Sequence, residues 1–239
     1  MASTELAERT YKVLYDYFMN HSENFWRKQL DIGTRSEIYA DKSMRDSAED
    51  EMFVLMLDCK EIIREETAKS RGAGNVYSVL SKTFKENAKK GREYLTYAYE
   101  EDGKTYATNS YYALRTNKKL DLPNVDNERF PRGVVDIINR TIANNLTHIN
   151  DVPTLSELKA YIKLQKAEQP KGTDVMYELD SGYSYVNAEY LKRIIEFLGD
   201  SNICCYTVWE PDKRPISPLL FINDDGDCAV LCQARKTYY

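Results

Sequence analysis

The stretch 79-VLSKTFKENAKKGREYLTYAYEEDGKTYATNSYYALR-115 decides how the rest of the chain is read. Val76, Val79, Leu80 and Phe84 repeat at helical spacing in a segment that ends near Gly91, and Lys82, Lys85 and Lys89 occupy its opposite side. Past Gly91 the pattern predicts strands over about 94–100 and 104–115. Asp102-Gly103 between them is a strong hairpin signal, because a two-residue turn needs positive φ at its centre. Six tyrosines fall between Tyr94 and Tyr112. Leu95, Tyr97 and Tyr99 share one strand face, so these rings pack most simply on a core with their hydroxyls at its edge. A base-stacking platform is the alternative.

The last third follows the same plan. Asn187 caps a helix whose stripe is Leu191, Ile194, Ile195 and Leu198 and which Gly199 ends. Strand-like runs follow at 202-NICCYTVWE-210, 218-PLLFIN-223 and 228-CAVLCQAR-235, with turns at 211-PDKRP-215 and 223-NDDGD-227. Helix, strand, hairpin, strand therefore occurs twice, as a structural duplication with few matching residues. Between the copies, Val134, Val135, Ile137 and Ile138 suggest a helix. Thr154 and Glu157 form a capping box for a second one, 155-LSELKAYIKLQKAE-168, whose polar side carries Lys159, Lys163 and Lys166. Met176–Leu179 reads as a short strand.

Toward the N-terminus, Ser3 or Thr4 caps a helix with Leu6, Val13, Leu14, Tyr17 and Phe18 at helical spacing. A mixed stretch with Trp26 and the turn signal Asp31-Ile32-Gly33 follows. In 46-DSAEDEMFVLMLDCKEIIREE-66, acids fill the first turn, and Met52, Phe53, Leu55, Met56, Cys59, Ile62 and Ile63 form an expected buried stripe. The run 69-KSRGAGN-75 has the composition of a boundary. Its Gly72-Ala73-Gly74 lacks the third glycine and preceding strand of a dinucleotide loop.

Composition is that of a globule: 239 residues, 42% hydrophobic and 30% charged. No apolar run approaches the roughly 18 residues of a membrane span, and the first twenty residues contain no signal-peptide core. A cytoplasmic protein without membrane contact is expected. Of the net charge of −5, all lies in residues 1–70, which hold 10 Lys/Arg against 15 Asp/Glu; the remainder balances at 23 of each. Nucleic-acid binding would thus need a local basic face.

The five cysteines are odd in number and lack an export signal, so reduced thiols are expected. Cys204 and Cys205 invite a zinc reading together with Cys228 and Cys232, but adjacent strand residues point to opposite faces. Asp224, Asp225 and Asp227 around Gly226 read as a hairpin turn, since they lack the ligand spacing of a calcium loop. His21 and His148 sit beside no nucleophile motif. No catalytic residue, metal, cofactor or small-molecule substrate is expected, and the chain does not read as an enzyme.

The two repeated units resemble the half-domains of bacterial DNA sliding clamps, the polymerase processivity factors, over about 165 residues from Val76. A family Ala-Thr-Asp-Gly-His/Tyr-Arg-Leu-Ala signature is matched by Ala107-Thr108-Asn109-Ser110-Tyr111-Tyr112-Ala113-Leu114. Its Val-Asn-Xaa-Xaa-Tyr-Leu helix is matched by Val186–Leu191, its Ser-Pro strand by Ser217-Pro218, and its Met-Pro strand end by Cys232-Gln233. Asn109, Ser110, Tyr112 and Cys232-Gln233 depart from the family residues. Chains of this kind are similar to clamp-like proteins of phages and prophages.

The resemblance implies an α+β fold: one DNA-clamp-like domain over 75–239, made of two αβββ units, with an antiparallel sheet and helices on one face. A helical insertion lies near 131–168, and a helical segment, 1–70, precedes the domain. It implies phosphate contacts from Lys82, Lys85, Lys89, Lys192 and Arg193, which are salt-sensitive and sequence-independent. The partner-peptide groove it implies comprises Thr108, Ser110, Tyr111, Tyr112 and Ala113 with Cys232, Gln233 and Ala234. A ring around duplex DNA would need a homo-oligomer of about six copies or a mixed assembly. The function expected is a non-enzymatic scaffold acting with DNA replication and repair proteins. The alternative is a protein-interaction module, encoded by a phage or mobile element, that keeps the fold without binding DNA.

Overall fold

The computed structural model describes residues 2–21, 48–123, 130–131, 133–143, 147–149, 152–179, 184–199, 202–207 and 218–234. Its elements begin with α1 (Ala2–His21), α2 (Ala48–Ser70) and α3 (Gly74–Lys89), followed by a 3-10 turn at Glu93–Leu95. Strands β1 (Tyr99–Glu101), β2 (Lys104–Thr108) and β3 (Tyr112–Thr116) come next, then α4 (Gly133–Ala143), β4 (Thr147–Ile149) and α5 (Leu155–Glu168). A hairpin of β5 (Met176–Leu179) and β6 (Ser184–Asn187) leads into α6 (Ala188–Leu198). The last strands are β7 (Cys204–Thr207), β8 (Leu219–Ile222) and β9 (Cys228–Leu231). The Asp31 turn signal, Trp26 and the 211–215 turn lie outside the described residues.

Seven strands form one antiparallel sheet in the order β1-β2-β3-β9-β8-β7-β4. About the central β3–β9 pair, where Tyr112 faces Leu231 and Leu114 faces Ala229, the order β1-β2-β3 is mirrored by β7-β8-β9. The Asp102-Gly103 turn forms as its sequence predicts, with φ of 51° and 70°. The run 104–115 is two strands, however, not one. Ser110 adopts φ 76°, and the buried Asn109 accepts hydrogen bonds from the N–H groups of Tyr111 and Tyr112 at 2.9 Å each, which fastens a second tight turn. The first strand also begins later than its alternation suggests, because Glu93–Leu95 coil into a 3-10 turn whose Leu95 carbonyl accepts Asn87 Nδ2.

Helices α3 and α6 pack on one face of the sheet, against Ala107, Leu114, Ala229, Leu231, Leu219 and Phe221. The opposite face is not bare. Tyr99, Tyr106, Ala113, Leu220 and Val230 point there and are covered by Val135 and Ile138 of α4, with Phe130 stacked on Tyr99 at 5.1 Å. Helices on one face only is therefore corrected to helices on both. The physical signal was present: 219-LLFI-222 and 228-CAVL-231 are apolar without alternation, as strands buried on both faces are. Strand β4, unforeseen, extends the β7 edge.

Local chemistry explains the remaining elements. Thr154 and Glu157 form the expected capping box, and Asn187 Oδ1 accepts from Glu189 and Tyr190 N–H while Gly199 closes α6 at φ 82°. Helix α1 already runs through Ser3 and Thr4, so neither caps it. It packs on α2 through Leu14 and Phe18 against Phe53, Met56 and Leu57. Of the apolar stripes expected there, Leu6, Val13, Leu55 and Ile62 are exposed instead. Helix α2 leans on α3, with Ser81 donating to Glu61 at 2.7 Å and the buried Arg64 paired with Asp121 at 3.1 Å.

Because Asn109 satisfies two backbone donors in a buried turn, Asn109→Ala is expected to cost about 2 kcal/mol. Asn109→Asp, which keeps the Oδ1 acceptor that takes both bonds, is expected to lose less. Urea unfolding midpoints of the three proteins check this, and equal losses for both variants would show that the side-chain oxygen does not hold the turn.

Candidate functional site

The centre of the helical face is the seam between α3 and α6. Tyr112, on the central strand, sends its buried hydroxyl between the two helices to within 2.8 Å of Thr83 Oγ1, with Arg193 Nη1 donating to it at 3.4 Å. Burial pushes this phenol up, so it stays protonated and able to donate. Arg193 also grips Glu86 on α3 through two contacts of 2.5 and 2.6 Å. Its guanidinium is thus engaged in a bidentate clamp within the fold.

The lysines divide according to their neighbours. Lys82, Lys85 and Lys89 are all exposed on α3, on the side turned away from its buried stripe. Lys85 reaches Glu61 of α2 at 3.5 Å. On α6, Lys192 is paired with Glu189, which also takes Lys166 of α5 at 2.5 Å. One face turn further along, Glu196 takes Lys159 of α5 at 3.8 Å. Glu189 and Glu196 stand seven residues apart on the side of α6 opposite Leu191, Ile194 and Leu198. The two pairs therefore lay α5 antiparallel along the outer side of α6. Near its N-terminal end, α5 borders a cleft of about 260 Å³ lined by Ser78 and Lys82 of α3, Leu155 and Lys159 of α5, and Glu196.

Of the groove residues that the resemblance implies, Tyr111 and Cys232 meet at the shared end of β3 and β9. Cys232 N–H donates to the Tyr111 carbonyl at 2.9 Å, and Ala234 N–H to that of Tyr185 at 2.7 Å. Thr108, Tyr112 and Ala113 are buried, Gln233 and Ala234 half-buried, and Ser110, Tyr111 and Cys232 exposed. Tyr111 lies flat on Tyr190, centroids 5.3 Å apart, with the Arg92 guanidinium 5.5 Å from its ring centre. Arg92 also donates to the Asn109 carbonyl at 2.6 Å. Arg92 and Tyr190 were not singled out as site residues. Tyr190 stands within the matched Val-Asn-Xaa-Xaa-Tyr-Leu helix, and Arg92 in the turn that follows α3.

Two of the cysteines, Cys205 and Cys228, are buried in inert surroundings. Burial pushes the Cys205 thiol far up and that of Cys228 to about 11, which keeps both protonated at neutral pH. Cys204 and Cys205 alternate across β7 as expected, and among the described residues no group of three or more His, Cys, Asp or Glu could hold a metal ion. No described helix is long and apolar enough to cross a membrane. Comparison with family models, curated proteins and solved structures finds no match.

Glu189 offers a test of the α5–α6 contact. Burial raises its pKa, but the hydrogen bonds from Lys166 and Lys192 outweigh burial and hold the carboxyl below its ordinary range. A depressed native pKa gives stability that is full above the ordinary glutamate value of about 4.3 and drains away as pH falls through the lower native value. The thermal midpoint of the wild type is expected to exceed that of Glu189→Gln at neutral pH and to converge with it below about pH 4. A margin that does not change with pH would mean the lysines do not hold this carboxylate.

Proposed function

We propose that this chain is a non-enzymatic protein-interaction module of clamp-like fold whose helical face is closed to duplex DNA by its own helices. Support for the clamp-like part comes from the sheet order mirrored about β3–β9 and from α3 and α6 lying side by side on one face. The observation that carries the functional part is the pairing of the candidate phosphate ligands. Lys192 and Arg193 on α6 and Lys85 on α3 already hold carboxylates, and α5 runs along the outer side of α6. Phosphate binding there would have to displace these partners and return carboxylates to the vicinity of the DNA, which removes the counterion-release gain that drives such binding.

The interaction surface of this reading is the end of β3 and β9. Tyr111, exposed yet stacked between Tyr190 and Arg92, is a rigid aromatic of the kind that anchors interfaces. Partners there are proteins that present a linear segment, replication and repair proteins among them.

A second reading, a scaffold in contact with DNA, is favoured by Lys82 and Lys89, which are exposed and pair with no carboxylate among the described residues. Titration of a labelled duplex of about 30 base pairs at physiological ionic strength, repeated at lower salt, separates the two. The expected dissociation constant is weaker than about 100 µM, the weak end of non-specific binding. Tighter, salt-sensitive binding abolished by Lys82→Glu with Lys89→Glu would replace the module by the DNA-facing scaffold. Capture of one specific protein by the wild type but not by Tyr111→Ala would support the module.

A further inference from the structure

Helices α3 and α5 run parallel on either side of α6, which is antiparallel to both. Glu86 of α3 meets Arg193, while Lys159 and Lys166 of α5 meet Glu196 and Glu189. The arrangement makes a trough with α6 as its floor. The floor is nearly neutral, because Arg193 is taken by Glu86 of α3, Glu189 by Lys192 and Lys166, and Glu196 by Lys159. The walls are not: Lys82 and Lys89 of α3 and Lys163 of α5 are exposed and in excess there, while Lys159 and Lys166 are taken by the acids of the floor. Lys82, Lys89 and Lys163 have no ion-pair partner among the described residues.

We infer that this trough is a docking surface for an acidic helix of a partner protein. The spacing carries the choice of occupant. The unpaired Lys82 and Lys89 stand seven residues apart, about 10.5 Å of helix axis, with the unpaired Lys163 on the other wall. A helix lying between the walls with carboxylates at i, i+4, i+7 and i+11 presents acids at the same interval on one face. The cleft beside Lys82 and Lys159, with Val79 and Leu155 among its lining residues, is a place where the stem of one such acid would pack. A duplex is the poorer fit, since its evenly spaced phosphates would also have to cover the carboxylates of the floor, whereas a helix can place charged residues over the walls alone. Attraction of this kind raises the association rate and weakens with salt.

The inference rests on the module reading and names its partner's chemistry. The probe is a fluorescein-labelled, alanine-based helical peptide with glutamates at i, i+4, i+7 and i+11, compared with its lysine counterpart and with a duplex of about 20 base pairs. Fluorescence anisotropy at low salt is expected to show binding of the glutamate peptide alone. Lys82→Glu with Lys163→Glu, both exposed positions, is expected to weaken it about tenfold. Failure of the glutamate peptide to bind, or binding unchanged in the double variant, would overturn the inference and leave the module reading standing. Duplex binding lost in the same variant would overturn both, because it would make the trough a nucleic-acid surface.

Discussion

The pairing of β3 with β9 is the interaction on which the rest of the structure depends. It joins residues 112–115 to 228–231, more than a hundred positions apart, and turns two three-stranded units into one sheet. Its cost in chain entropy is that of closing a long loop, so it must be secured by what packs on it. Tyr112 does this from the centre of the sheet. Its backbone pairs with Leu231, while its hydroxyl lies between Thr83 and Arg193, so strand register and helix spacing are set by one residue.

From that seam the layers follow. Two apolar sheet faces need two covers, and the chain between the repeated units supplies the second as α4. The flanking helices α2 and α5 also bring charge to the central pair, in opposite senses. Helix α2 offers an acid, Glu61, to the basic α3, and α5 offers lysines to the acids of α6. Most of these pairs are solvent-exposed and individually weak. Their effect is on the field of the surface more than on stability, since they leave α6 nearly neutral and the unpaired positive charge at Lys82 and Lys89 of α3 and Lys163 of α5.

Much of this was legible in the residues because the signals were local. The Thr154–Glu157 box, the Asn187 cap, the Asp102-Gly103 turn and the apolar stripe of α6 each specify their element through neighbours within one turn of chain. What was misread depended on distant partners. Ser110 as the break between β2 and β3 shows only when Asn109 is seen to cap it. The burial of Val135 and Ile138 shows only when the far face of the sheet is seen to be apolar. Leu55 and Ile62 keep helical spacing yet are exposed, since periodicity tells which residues share a face and not whether anything covers it.

The same distinction separates the two sets of candidate residues. The groove residues come from two strands whose register is fixed by the sheet, so a correct strand order brings Tyr111 and Cys232 together whatever their side chains do. The lysines come from helices, where spacing predicts a shared face but not the charges opposite it. Lys82, Lys85 and Lys89 form one stripe in sequence, yet Lys85 alone has an acid within reach, because only its side of α3 is met by Glu61. Lys192 and Arg193 are adjacent, yet one pairs within its own helix and the other across to α3. A basic stripe therefore counts as a binding face only after its neighbours' carboxylates have been subtracted, and here the subtraction leaves a trough with charged walls and a nearly neutral floor.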